Sequence, residues 1–162
     1  MRHALIALSC LVALPALAQA QIPDAIAAPG EGVVATWHAA GAQVYECKAG
    51  ADGKLAWTFR EPIATLLHDG KTIGRHYAGP SWEHLDGSAI VAKVIGNAPA
   101  PGATDIPWLK LQVVASRGSG VLSGVTTVQR INTVGGQHAG ACDRGGAFHS
   151  APYAADYVFL KK

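Results

Sequence analysis

Cysteine is almost missing from this 162-residue sequence, charge is sparse and methionine occurs once. The three cysteines stand at 10, 47 and 142, and no two are spaced C-x-x-C, so neither a zinc-ribbon pattern nor a thioredoxin-type redox motif is present. Asp, Glu, Lys and Arg make up only 15% of the chain, with a formal net charge of +2 and no basic cluster. A nearly neutral chain of this kind lacks the electrostatic footprint of a nucleic-acid binder. Also absent are H-x-H and H-x-x-x-H pairs, a G-x-S-x-G nucleophile elbow, and almost any apolar pattern of helical period. Gly118, Gly120 and Gly124 fall at G-x-G-x-x-x-G with no helix pattern behind them. A dinucleotide phosphate needs the tighter spacing and a helix N-terminus, so no cofactor is expected.

Long apolar runs are absent too, except at the very start. Arg2 precedes an apolar core from Ala4 to Leu14, and small residues follow at Ala16, Ala18 and Ala20. That is the layout of a secretory signal peptide over residues 1–20, and its core is too short to span a bilayer. Cys10 lies inside that core, without the Leu three residues earlier that a lipid-anchor site carries. The expectation is an exported chain, periplasmic or extracellular, with no transmembrane segment. Arg2 is the one charged residue of the leader, so 12 of 13 basic residues remain against 11 acidic ones, a net of +1. The exported part retains Cys47 and Cys142, which an oxidising compartment pairs most economically as one disulfide.

What is plentiful is glycine and strand-like sequence. Residues 21–32 read as an extended arm broken by Pro23, Pro29 and Gly30, and residues 33–162 as a single β-domain. "VVATWHA" and "QVYECK" read as two short strands parted by Ala40-Gly41. Asp-Gly recurs at Asp52-Gly53, Asp69-Gly70 and Asp86-Gly87, every seventeen residues, each time ahead of an apolar residue. Asp-Gly accepts the positive φ of tight hairpin turns, so the spacing predicts a meander of short strands. "NAPAPGATDIP" (97–107) is the longest break and the expected crossing between sheets. "WLKLQVVAS" alternates, with Leu109, Leu111, Val113 and Ala115 on one face, as a half-buried antiparallel strand does. "GVLSGVTTVQRINT" reads as a further strand with a bulge at Gly124. "VGGQHAGACDRGGAF" reads as irregular and tethered by Cys142, and "YAADYVFL" puts Tyr153, Ala155, Tyr157 and Phe159 on one face. The fold class predicted is all-β, an antiparallel sandwich or small barrel of about eight to ten short strands.

The stretch "GRHYAGPSWEHLDGS" (Gly74–Ser88) concentrates the side chains able to do chemistry. A strand crossing needs its Gly and Pro and has no need of an imidazole and an indole. His76 and Trp82 are therefore expected to line one concave site, with Asp86 or Arg130 at its edge and Trp82 partly exposed toward a ligand. Core packing is the default for Trp37, Trp57 and Trp108. Arg130, in an otherwise uncharged strand, is expected to pair with a buried acid. A metal held by His76, His84 and Glu83, or a carboxylate/His hydrolase using His76, Glu83 and Asp86, is the weaker alternative. His68 and His76 lie on either arm of the Asp69-Gly70 turn, about five pairs and roughly 16 Å apart, too far to share a metal.

Several of these stretches also carry a resemblance. "GKTIGRHYAGPSWEHLDGS", "IPWLKL", "VTTVQRINTVGG" with the later Cys142, and "YAADYVF" together resemble the secreted bacterial and fungal family catalogued as domain of unknown function 3455. The residues that map are Gly74, His76, Gly79, Pro80, Trp82, Asp86, Gly87, Ser88, Pro107, Trp108, Gln129, Arg130, Thr133, Gly135 and Gly136. Lys110 stands where an apolar residue is the family habit, and Leu160 where an aromatic is. The resemblance implies a single exported domain and brings no known reaction, cofactor or ligand. The functional expectation therefore rests on the residues: a non-catalytic binding module for a small molecule, a glycan or an envelope component, or failing that a structural or inhibitor-like interaction module.

Overall fold

The computed structural model describes residues 21–162, so the expected leader (residues 1–20) lies outside the described residues. Eight antiparallel strands follow one another: β1 (Gly32–Ala49), β2 (Leu55–His68), β3 (Lys71–Tyr77), β4 (Ser81–His84), β5 (Ala89–Ala98), β6 (Trp108–Arg117), β7 (Thr127–Gly135) and β8 (Phe148–Lys161). Each pairs with the next, and β8 pairs with β1 from Gly32↔Lys161 to Glu46↔Phe148, which closes the meander into a barrel. Closure gives every strand a hydrogen-bonded neighbour on both sides.

The Asp-Gly turns join strands as their spacing implies. Asp69 and Gly70 have φ of 48° and 72° between the paired residues His68 and Lys71, the both-positive geometry of a two-residue type I′ turn. Gly53 and Gly87 are likewise at positive φ. His76 pairs with Ala64, well along the barrel from His68.

Three expectations are corrected. Ala40-Gly41 does not break a strand, because β1 runs unbroken through it. Gly41 is needed for proximity instead: a Cβ there would collide with the Ile63 carbonyl and Ala64 of β2. Residues 99–107 do not cross between sheets, since β5 and β6 pair up to Ala98↔Trp108 and there is one sheet only. β7 begins at Thr127, and Gly124 (φ 81°) belongs to the turn before it rather than to a bulge.

The arm contains one 3-10 turn, Asp24–Ile26, and is not purely extended. Ile26 is fully buried against Ala98 and Trp108 on the outer face of the sheet. Gln129 Nε2 and Lys110 Nζ donate to the Ile26 and Ala27 carbonyls, each at 2.7 Å. Lys110 thus helps to hold the arm down.

The Cys47–Cys142 disulfide spans 95 positions of sequence and pins the Gly-rich β7–β8 connection onto β1. Closing so long a loop contributes about 2–4 kcal/mol in typical cases. Inside the barrel, Trp37, Leu66, Ile90, Leu122, Val128 and Phe159 form a continuous apolar core. The remainder of the interior is lined differently.

Candidate functional site

β3, the turn Ala78–Pro80 and β4 form a short hairpin in which His76 and Trp82 face each other directly. Ser81 Oγ donates to the Ala78 carbonyl at 2.8 Å and closes the turn. The imidazole and indole stack, with centroids 4.5 Å apart and planes 14° from parallel. His76 Nδ1 lies 2.8 Å from the Ser81 carbonyl, which can only accept, so Nδ1 carries the hydrogen and Nε2 is left as a bare acceptor. Burial holds the ring neutral, lowering its pKa from 6.5 to about 3; the Ser81 carbonyl opposes this, and the Arg130 charge adds to it.

Trp82 is 0% exposed, which corrects the expectation of a partly exposed indole. Alternation along β4 turns Glu83 outward and Trp82 inward. There its edge meets Tyr157 at 5.2 Å and Phe159 at 6.1 Å. The indole forms the boundary between the filled part of the interior and an open one.

The open part is a cavity of about 330 Å³ to which all eight strands contribute. Gln43 of β1, His76, Trp82, Arg130 and Tyr157 supply its polar wall, and Leu109 and Leu111 of β6 an apolar one. Phe59 and Val94, each about half exposed, form an apolar rim. Two arginines and no carboxylate line it. Arg60 is engaged elsewhere, with Nε 3.1 Å from Glu61 Oε1 and its guanidinium over the Phe148 ring.

Arg130 does not have the buried acid expected for it. Its Nε and Nη2 both donate to the Pro107 carbonyl, at 3.1 and 2.8 Å. Its cross-strand neighbours are Leu109 and Tyr157, neither of them acidic, so the carbonyl just before β6 takes that place. Behind it the Tyr153 and Tyr157 hydroxyls lie 3.3 Å apart, and burial pushes both phenols up, so both are neutral. Gln43 sits close enough to Tyr153 to bias its ionisation, yet its Nε2 has no partner with hydrogen-bond geometry. Trp82 Nε1 has none either.

The cavity therefore brings together His76, Trp82 and Arg130 and leaves out Asp86. That carboxylate accepts from Ser88 Oγ (2.6 Å), Ser88 N (2.8 Å) and Val121 N (2.7 Å), tying the β4–β5 turn to the β6–β7 connection. These bonds, the Ser88 hydroxyl foremost, hold it well below the usual carboxylate range. Glu83 faces outward between Arg75 (3.0 Å), Arg117 (2.7 Å) and the Tyr77 hydroxyl (3.1 Å). Its pKa is lowered chiefly by the Arg75 hydrogen bond. His84 stacks on Trp37, centroids 5.2 Å apart, beside the filled core. The trio His76, Glu83 and Asp86 is thus divided between the interior and the outer surface. Among the described residues no three His, Cys, Asp or Glu side chains converge on a metal-sized point, so His76, His84 and Glu83 do not form a ligand set.

Residues 28–161 match the family described as "Protein of unknown function (DUF3455)". The chain belongs to this family. Neither a curated protein nor a solved structure matches it. Of the positions carrying the DUF3455 resemblance, His76, Gly79, Pro80, Trp82 and Arg130 line the cavity, while Asp86, Gly87 and Ser88 build the neighbouring turn.

Gln43 and Tyr157 went unnoticed as site residues in the sequence. A signal for each was present: Gln43 is a polar side chain in the middle of an apolar strand, and Tyr157 a hydroxyl on the face already assigned to the core.

Proposed function

We propose that this DUF3455 protein is an exported, non-catalytic binding barrel that takes a small, partly apolar molecule into the open half of its interior. The observation that carries this reading is the cavity of about 330 Å³, with an apolar rim and a few convergent polar groups at its wall. Small-molecule sites have this character, and eight strands make a barrel whose interior suits one small ligand. The disulfide, and the lack of any helix long and apolar enough to cross a membrane among the described residues, are compatible with export. A hydrolase is less well supported, because the two carboxylates it would use are held on the outer surface and in a turn. A glycan platform is less well supported as well, because Trp37, Trp82 and Trp108 are all buried and the half-buried Trp57 packs against His138 and His149.

The test uses N-phenyl-1-naphthylamine, a neutral fluorophore whose emission rises in apolar surroundings. The expected result is saturable uptake of one molecule per chain, abolished by Leu109→Trp, which fills the cavity, while the melting temperature is kept. Uptake that is absent, or unchanged in Leu109→Trp, overturns the reading.

A further inference from the structure

The charges of the cavity wall do not balance. Arg130 stands on it with a guanidinium that makes no ion pair among the described residues; it has two bonds to the Pro107 carbonyl and lies beside the Tyr157 hydroxyl. The groups facing it are neutral: His76 with a bare Nε2, Trp82, Gln43, and the Tyr157 and Tyr153 phenols. Arg130 is half-buried, and its charge bears on His76 and on both phenols. The second cation, Arg60 at the rim, is already satisfied by Glu61.

The hydrogen-bond inventory is lopsided in the same direction. Trp82 Nε1 and Gln43 Nε2 are buried donors without an acceptor. A buried unpaired donor costs about 1–3 kcal/mol, and a half-buried guanidinium with no counter-charge beside it adds to the demand for an acceptor. With two of its five N–H groups on Pro107 and the Tyr157 hydroxyl beside it, Arg130 still has donors enough to grip one edge of a planar anion. Gln43 lies on the same wall, and its unpaired Nε2 is a donor available to a second oxygen. The His76 lone pair repels negative charge and so biases an anion toward Arg130, while Leu109, Leu111 and the rim accept an apolar remainder.

We propose that the molecule taken up carries a carboxylate, seated against Arg130 with Gln43 as a second donor and its apolar part directed toward Phe59 and Val94. This rests on the barrel being a small-molecule binder. A ligand of this kind supplies both the charge and the acceptors that the wall lacks.

The experiment is displacement of N-phenyl-1-naphthylamine from the exported chain by octanoate, octanol, octylammonium and octyl sulfate at pH 7. Octanoate is expected to compete at least tenfold more tightly than octanol, a difference of about 1.4 kcal/mol, with octylammonium weakest. Arg130→Gln keeps hydrogen-bonding capacity but not charge. It is expected to bring octanoate and octanol within about threefold of each other, each competitor being scaled to the variant's own fluorophore affinity. Gln43→Leu is expected to reduce the preference partially. Equal competition by octanoate and octanol in the wild type overturns the proposal, and so does a preference that survives Arg130→Gln. A tenfold advantage of octyl sulfate over octanoate assigns the wall to a tetrahedral anion and overturns the carboxylate. Should Arg130→Gln fail to fold, Gln43→Leu and the wild-type series still decide. The neutral fluorophore separates the two readings: uptake without acid preference sinks only this proposal, and no uptake of any compound sinks the binding barrel together with it.

Discussion

Around Trp37 and Phe159, whose rings lie 4.6 Å apart, the barrel interior is filled, and Leu66, Ile90, Leu122 and Val128 around them are fully buried. Around His76 and Arg130 the same eight strands enclose about 330 Å³ of open space. The alternation that points side chains inward is the same in both halves, so backbone geometry does not distinguish them. The difference lies in what the inward positions carry. The filled half has aliphatic and aromatic groups that interdigitate at interior density. The open half has polar groups whose hydrogen-bonding needs forbid apolar filling, beside a Gly79-Pro80 turn that adds no bulk. One half supplies stability, and the other forgoes some of it for a surface that can hold something.

The largest expected effect tests whether the halves differ in energy. Phe159→Ala should cost about 3–5 kcal/mol in urea denaturation, and Leu66→Ala should fall toward the upper part of the ~2–5 kcal/mol range. Leu109→Ala, which only widens a space already open, should lie near ~2 kcal/mol or below. Equal costs at Leu66 and Leu109 would erase the distinction. Trp82→Ala belongs with the filled half, because the indole is fully buried, so it cannot serve as a binding-only variant.

A pH profile sharpens the comparison. His76 takes up its proton near pH 6.5 when unfolded but only near 3 when folded. Between those values the unfolded chain binds more protons, so its contribution to stability is complete above pH 6.5 and is lost as pH falls toward 3. The slope should approach about 1.4 kcal/mol per pH unit within that window. His76→Asn should flatten it, and the difference between the two profiles isolates His76, because Asp86, whose lowered pKa gives the same sign, is common to both. Parallel profiles would mean that water already reaches the imidazole in the folded protein.

The smallest effect lies outside both halves. At Gly53, Gly70 and Gly87 an added Cβ meets nothing within 4 Å, so substitution strains only the positive φ. Gly→Val at each should cost on the order of 1 kcal/mol, by thermal or urea melting. Fluorophore uptake should be unaffected at all three. Lost uptake in Gly70→Val would show that the β2–β3 turn and the cavity are coupled.

Much of this was legible in advance. The Asp-Gly spacing located three turns, because a turn is decided within four residues and Gly is the cheapest way to positive φ. The Tyr153–Phe159 alternation located a core face, and the crowding of Gly74–Ser88 pointed to His76 and Trp82. Less visible were the uses of particular residues. Gly41 reads as a break in the sequence, yet it serves the close approach of β2. Trp82, among polar neighbours, reads as exposed, yet one step of alternation buries it. Asp86 belongs to the same motif as His76 but bonds to Val121, thirty-five residues further on.

The sequence by itself determined the fold class, the cysteine pair and the turns, since local backbone preference, period-two alternation and composition are written along the chain. Only the tertiary structure decided that the sheet closes, because that depends on β1 and β8 pairing between residues more than a hundred positions apart. It alone decided that Gln43, His76, Arg130 and Tyr157, from four different strands, face one space with no acid among them, because a cavity is a property of what meets across a barrel and no local pattern records it.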